Sequence, residues 1–386
     1  MGLPIGEMTA RAGRLACLCA PSFSIADPAA SRHVHRLAVG FALAVLSQVL
    51  AVGTLPLAGA FLAPMPWMAT LPYAAMLIGA TVATFPASFL MDAFGRRAAF
   101  ALGASLGIAG GVMVGWALLH HQFISLLLGA FWLGIANGFG LFYRHAAASV
   151  TGEADRKAAI AAVFGAGAFV GLVAPSLAGF AEGLAAPNLF VGTAFAAAAA
   201  QVGAFALALT LPTTSTEMIE AQEVEAAALR LTTVTDWQAV AGATFAGVVA
   251  WLVMTMLMAA APLAMAGCGL SPGLIFAGIS WHMVAMYAPA LFTAHLPARL
   301  TPPMIALAGL ALIALSIPVF AIAETAGMFT LSLTLLGAGW SISVAGTTQW
   351  LHENGPPSRL VLALHDGSVL SAAVIGALLA GQISFT

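Results

Sequence analysis

Four side chains of this 386-residue sequence have the type and spacing to hold a soft metal ion. Met254 and Met258 stand in Val253-Met254-Thr255-Met256-Leu257-Met258, and His282 and Met286 in Trp281-His282-Met283-Val284-Ala285-Met286. A separation of four residues puts each pair on one face of a helix, about 6 Å apart along its axis. Thioether sulfur and neutral imidazole suit cuprous copper, whereas magnesium or calcium would demand oxygen ligands. Cys268, in Met265-Ala266-Gly267-Cys268-Gly269, lies between the two pairs and adds a thiol. The competing reading is packing: methionine is a flexible filler of apolar interiors, and the chain contains 16. For His282 the equivalent is a ring bonded to a backbone carbonyl, although an ionisable group inside a membrane helix is costly and usually functional. Further donors are Met65 and Met68, the neighbours His120 and His121, and the Cys17-x-Cys19 pair, a thiol acceptor in a reducing compartment. With no nucleophile–base pair and no cofactor loop, an enzyme is not expected and no cofactor is implied.

The elements that must position these residues follow from composition. The chain is 61% hydrophobic and 7% charged, where a soluble domain carries roughly 25% charged residues, and its mean hydropathy is +1.01. Twelve basic residues against 14 acidic ones leave no phosphate-tracking surface, so nucleic acid is excluded as a partner. Three cysteines do not make a disulfide framework. Apolar runs near 37–60, 71–91, 98–118, 123–145, 158–180, 189–211, 237–265, 273–293, 302–322, 328–350 and 360–383 each suffice to cross a bilayer as a helix. The fold expected is therefore all-α and polytopic, with the lipid bilayer as its surroundings.

Placing the N-terminus inside puts Arg11, Arg14, Arg32, Arg36, Arg96, Arg97, Arg144, Arg156, Lys157, Arg230, Arg299 and Arg359 all on the cytoplasmic side, a consistent positive-inside pattern. Four segments result: a cytoplasmic tail 1–36, a six-helix bundle 37–211, an acidic amphipathic linker 212–236 and a second helical bundle 237–386. Two such bundles are the parallel-repeat plan of many secondary transporters, whose sites lie near the bilayer midplane. Counting from the outer turn, Met258 falls about 12 Å deep, His282 about 15 Å, Met254 about 18 Å and Met286 about 20 Å, so the four donors share one layer.

Between the second and third spans, Ala87-Ser88-Phe89-Leu90-Met91-Asp92-Ala93-Phe94-Gly95-Arg96-Arg97 resembles the loop signature of the major facilitator superfamily. Asp92, Gly95, Arg96 and Arg97 match it, and the leading glycine is replaced; the resemblance implies a charge clasp that breaks and reforms as two pseudo-symmetric bundles rock. His295-Leu296-Pro297-Ala298-Arg299 is a degenerate echo in the second half. That family plan has twelve spans and eleven are readable before Thr386, which leaves a helix missing or two short ones merged.

Within the superfamily, the Met-x-x-x-Met and His-x-x-x-Met pairs with a cysteine between them resemble the CcoA-type bacterial copper importers, which supply cbb3-type cytochrome c oxidase assembly. Tyr143-Arg144-His145-Ala146-Ala147-Ala148 and Gly337-Ala338-Gly339-Trp340-Ser341 add family context. The resemblance implies alternating-access import across the bacterial cytoplasmic membrane, copper passing from Cys268 to Met258 and His282, then to Met254 and Met286, with a cytoplasmic copper chaperone as partner. Asp366, beside His365, is the candidate proton-coupling group. The residues leave open a proton-coupled exporter of small apolar compounds and a non-transporting membrane assembly factor.

Overall fold

The structure is a computed structural model that describes residues 28–143, 146–147, 156–212, 236–291, 300–353 and 359–383. Cys17 and Cys19, the linker up to residue 235, the 295–299 echo and the Asp92 side chain lie outside the described residues. Ten α-helices are present among the described residues: α1 (Pro28–Leu62), α2 (Leu71–Leu119), α3 (Phe123–Gly140), α4 (Arg156–Ala185), α5 (Val191–Leu209), α6 (Trp237–Gly267), α7 (Pro272–Tyr287), α8 (Pro302–Ala321), α9 (Ala326–Leu351) and α10 (Arg359–Ile383). The protein is an all-α polytopic membrane protein.

Ten segments are long and apolar enough to cross a bilayer, α2 supplying two through its arms before and after Gly95. The 16-residue α7 is shorter than these and is followed directly by a 3-10 turn at Ala288–Leu291, where the sequence predicts a further span. Gly95 adopts φ 78° and ψ 164°, a conformation closed to other residues without strain, and it turns the chain where the loop signature predicts. Elsewhere the boundaries differ from expectation. α1 begins already at Pro28, because Arg32 and Arg36 are exposed and let the helix run past its apolar stretch. α7 stops at Tyr287 rather than continuing to 293, as Pro289 cannot donate to the helical ladder.

Small residues decide how closely the helices approach. The alanine-rich α5 packs on α1 and on the second arm of α2, α3 packs on both α2 arms, and α4 leans on α1. In the second half α9 lies against α6, α7 and α8, while α10 lies along α6. Thr255 donates to the Ala373 carbonyl at 2.8 Å, joining α6 to α10, and Ser332 donates to the Ser316 carbonyl at 2.9 Å, joining α9 to α8. The halves meet along two seams, α4 with α7 and α2 with α10.

Chain ends confirm which termini share a face. Arg36, near the start of α1, donates to the carbonyl of Thr210 after α5 at 2.9 Å, a cation placed at a helix C-terminus. Asp236 caps α6, accepting from the Gln238 and Ala239 amides at 3.0 and 3.2 Å. On the opposite face the Glu182 carboxylate closes the α4–α5 turn. It accepts from the Phe190 amide at 2.7 Å, the Thr193 amide at 2.8 Å and the Thr193 hydroxyl at 3.0 Å. Thr193 in turn lies 2.9 Å from Thr54 Oγ1, so one carboxylate fixes α4, α5 and α1 together. Glu182→Ala leaves two amides at the start of α5 without an acceptor. It should destabilise the purified protein by about 1–3 kcal/mol, seen as a lower melting temperature in detergent, with Glu182→Gln intermediate; an unchanged melting temperature would show that this turn carries no stability.

Candidate functional site

The four donors singled out by spacing are all buried. Met254 and Met258 on α6 are 5% and 2% exposed, His282 on α7 is 0% and Met286 is 7%. The three methionines belong to one continuous apolar cluster with Leu333, Leu336 and Trp340 of α9, and His282 reaches the same helix through Leu333. The two arms of the α6–α7 hairpin touch each other only over a short stretch, and α9 packs against both. The hairpin alone therefore does not form the pocket, and α9 supplies the common wall.

That wall orients the histidine. His282 Nδ1 lies 2.8 Å from the Leu333 carbonyl oxygen, which can only accept, so Nδ1 carries the proton and Nε2 the lone pair. Nε2 is buried and has no hydrogen-bond partner among the described residues. Gly337 makes room for the ring: a methyl group there would stand 2.5 Å from the His282 carbonyl oxygen and 3.1 Å from its Nδ1. On the same helix, the Trp340 indole meets Trp251 of α6 edge to face, with centroids 5.0 Å apart. Leu333, Gly337 and Trp340 are site residues that reasoning from ligand types passed over; the Gly-Ala-Gly-Trp run was the available signal.

Other expected donors are not brought to this cluster. Cys268 is exposed, with its amide bonded to the Ala264 carbonyl at the end of α6, about 15 Å along the helix from Met258. Met65 is exposed and accepts from the Trp67 indole N–H at 3.3 Å. His120 Nδ1 donates to the Trp116 carbonyl at 2.9 Å and its ring stacks on that indole. Among the described residues no three of His, Cys, Asp and Glu gather as a metal site. Arg96 is half-buried and Arg97 exposed beside the Gly95 turn. Asp366 is exposed although Ala373 and Ala377, on the same side of α10, are buried, and it stands two turns from Arg359 at the start of that helix. Its neighbour His365 shares a 3.0 Å hydrogen bond with Thr244 of α6.

Toward that same end, aromatic rings bind the two halves. Phe41 of α1 meets Phe164 of α4 at 5.8 Å and Tyr287 of α7 at 5.6 Å, both edge to face, and Phe164 meets Tyr287 at 5.9 Å. Gly167 allows the approach, since a methyl group there would be 2.9 Å from Phe41 and 3.1 Å from Tyr287. Such a non-covalent contact can part and reform, and α4 and α7 lie on opposite halves. If the halves separate here in each cycle, linking a Phe164→Cys/Tyr287→Cys pair with a short thiol-specific bridge should arrest flux, and reduction should restore it. Undiminished flux through fully linked protein would show that the seam stays closed.

Comparison with known proteins places this geometry. No protein-family model matches the chain. It is 30% identical over 338 residues to the riboflavin transporter RfnT of Brucella anthropi, covering 86% of this chain and 83% of that protein. It is 27% identical over 330 residues to the uncharacterized MFS-type transporter YdeG of Bacillus subtilis, covering 80% of this chain and 76% of that one. Its fold superposes on the xylose transporter XylE of E. coli, in a partially occluded inward open conformation, with a TM-score of 0.64 at 15% identity, over 91% of this chain and 90% of that one. Ten candidate membrane spans among the described residues, in two packed halves, a glycine-turned basic loop between the second and third, and these relatives together make the chain a member of the major facilitator superfamily of membrane transporters.

Proposed function

We propose that this transporter imports monovalent copper across the bacterial cytoplasmic membrane by alternating access, with the N-terminus in the cytoplasm, in the manner of the CcoA-type importers that supply cbb3-type oxidase assembly. The observation that carries the reading is the His282 Nε2 lone pair: buried, aimed by the Leu333 carbonyl and without a partner. An unpaired acceptor in a dry interior costs about 1–3 kcal/mol, which a bound metal ion recovers. Three thioethers, from Met254, Met258 and Met286, share an apolar cluster with Leu333, whose carbonyl holds His282, and match the softness of cuprous copper. Cys268 at the outer turn is the entry thiol of this scheme, and a cytoplasmic chaperone is the receiving partner. Asp366, exposed two turns from Arg359, is the proton-coupling group. Gly95 with Asp92, Arg96 and Arg97 is the loop that resets as the halves rock. Twelve basic residues falling on one side support the orientation.

A second reading has its own support. The related RfnT is named for riboflavin, and the Trp251–Trp340 pair gives the interior an aromatic wall suited to a planar heterocycle. Uptake measurements separate the two. Cells expressing the protein should accumulate copper-64, and His282→Ala and Met254→Ala should each cut the initial rate by roughly tenfold or more, a loss of about 1.4 kcal/mol per decade. Wild-type copper accumulation in both variants overturns the ligand assignment. Uptake of labelled riboflavin without copper uptake transfers the conclusion to the second reading.

A further inference from the structure

The interior holds a donor that a metal ion cannot satisfy. Trp340 is 8% exposed, and its Nε1–H has no hydrogen-bond partner among the described residues. An indole N–H can only donate, so it calls for an acceptor. Its location is defined from both sides. Trp340 follows Gly337 by less than one turn on the same side of α9, and helical side chains lean toward the N-terminus, so the indole reaches back over the turn that backs His282. Its ring contacts Trp251, three residues before Met254 on α6. Trp340 therefore shares the α9 wall with Gly337, which backs His282, and touches α6 one turn from Met254.

Charge gives the second constraint. A lone cation in a low-dielectric interior is costly unless it is paired. The helices that build this site, α6, α7 and α9, contain no Asp, Glu, Lys or Arg. Thioethers and a neutral imidazole bring no negative charge either. These three helices thus supply no counter-charge, and one that arrives with the cation would make the bound unit neutral.

We propose that the site takes monovalent copper together with one soft monoanion, a halide or a thiolate, as a neutral unit, with the Trp340 indole N–H donating to that anion. The proposal rests on the copper reading and adds a ligand to it. Copper is held by His282 Nε2 and thioether sulfur, while the anion occupies a remaining coordination position and is recognised by Trp340. No electron changes hands: one copper–anion bond is present on entry and is exchanged at release.

The test uses full-length protein in detergent, loaded anaerobically with tetrakis(acetonitrile)copper(I) in three buffers: nitrate alone, nitrate with bromide, and nitrate with 2-mercaptoethanol. After desalting, copper per protein is measured and the coordination sphere is read by X-ray absorption, bromide being chosen because its scattering separates from that of sulfur. Wild-type protein should show a copper–bromide path in the second buffer or an additional copper–sulfur path in the third, and the positive arm identifies the anion. Trp340→Phe keeps a ring against Trp251 but lacks the N–H; it should still bind copper, yet need roughly tenfold more anion to reach the same occupancy, the equivalent of about 1.4 kcal/mol. Identical wild-type spectra in all three buffers, or equal anion occupancy in Trp340→Phe, overturn the proposal while copper binding stands. Absence of copper from wild-type protein in every buffer overturns the copper reading and this inference together. His282→Ala, expected to lose copper in every buffer, marks that second kind of failure.

Discussion

A polar group inside a bilayer has no water to fall back on, and the whole structure is organised around that fact. Backbone groups are satisfied inside helices, so the chain spans only as helices. Side-chain hydroxyls within the spans turn back to carbonyls: Thr255 to Ala373 and Ser332 to Ser316 across helices, Thr81 and Thr330 within their own. Against this habit of internal satisfaction, the few buried atoms without partners stand out. Among the described residues the Gln201 amide lies in the first half, against Gly107, and the hydroxyls of Ser47, Thr70, Ser280 and Ser343 can rotate to suit. His282 Nε2 and Trp340 Nε1 cannot, because a hydrogen bond and a ring contact fix their directions.

Small residues serve the same end by another route. In lipid there is little hydrophobic drive to bring helices together, so close approach and shape must do it. Gly337 lets α9 press against the His282 backbone, and Gly167 lets aromatic rings from three helices meet. Neither contact involves charge or a long hydrogen-bond network. Of the two, only the Gly167 contact crosses between the halves, and it is tight when closed and carries no residual obligation when parted. The polar anchors, Glu182 and Arg36, sit instead at helix ends within the first half, where nothing needs to open.

The donor set and the aromatic wall express two demands on one cavity. Sulfur and imidazole ask for a soft cation; the indole N–H asks for an acceptor. A bare metal ion meets the first only. Copper accompanied by a soft anion meets both without placing net charge in an interior whose lining helices contain no ionisable counterpart to His282 other than one another's dipoles.

Much of the architecture is legible in the order of residues because the bilayer reduces it to one dimension. Span length, the placement of arginines and the turn at Gly95 follow from hydrocarbon thickness and backbone sterics, and the passes fall where apolar runs predict. The same holds for the two donor pairs, since i to i+4 spacing is a property of any helix. Helix ends such as Tyr287 escaped because they depend on a single proline and on which polar side chains reach water. What the sequence could not decide is which helices become neighbours. Consecutive arms α6 and α7 look like partners in the chain, yet α9 joins them, and only that packing gives His282 its tautomer and sets Trp340 against Trp251. Lateral order in a bundle is set by the mutual fit of small and large surfaces around all of the helices at once, and no local spacing encodes it.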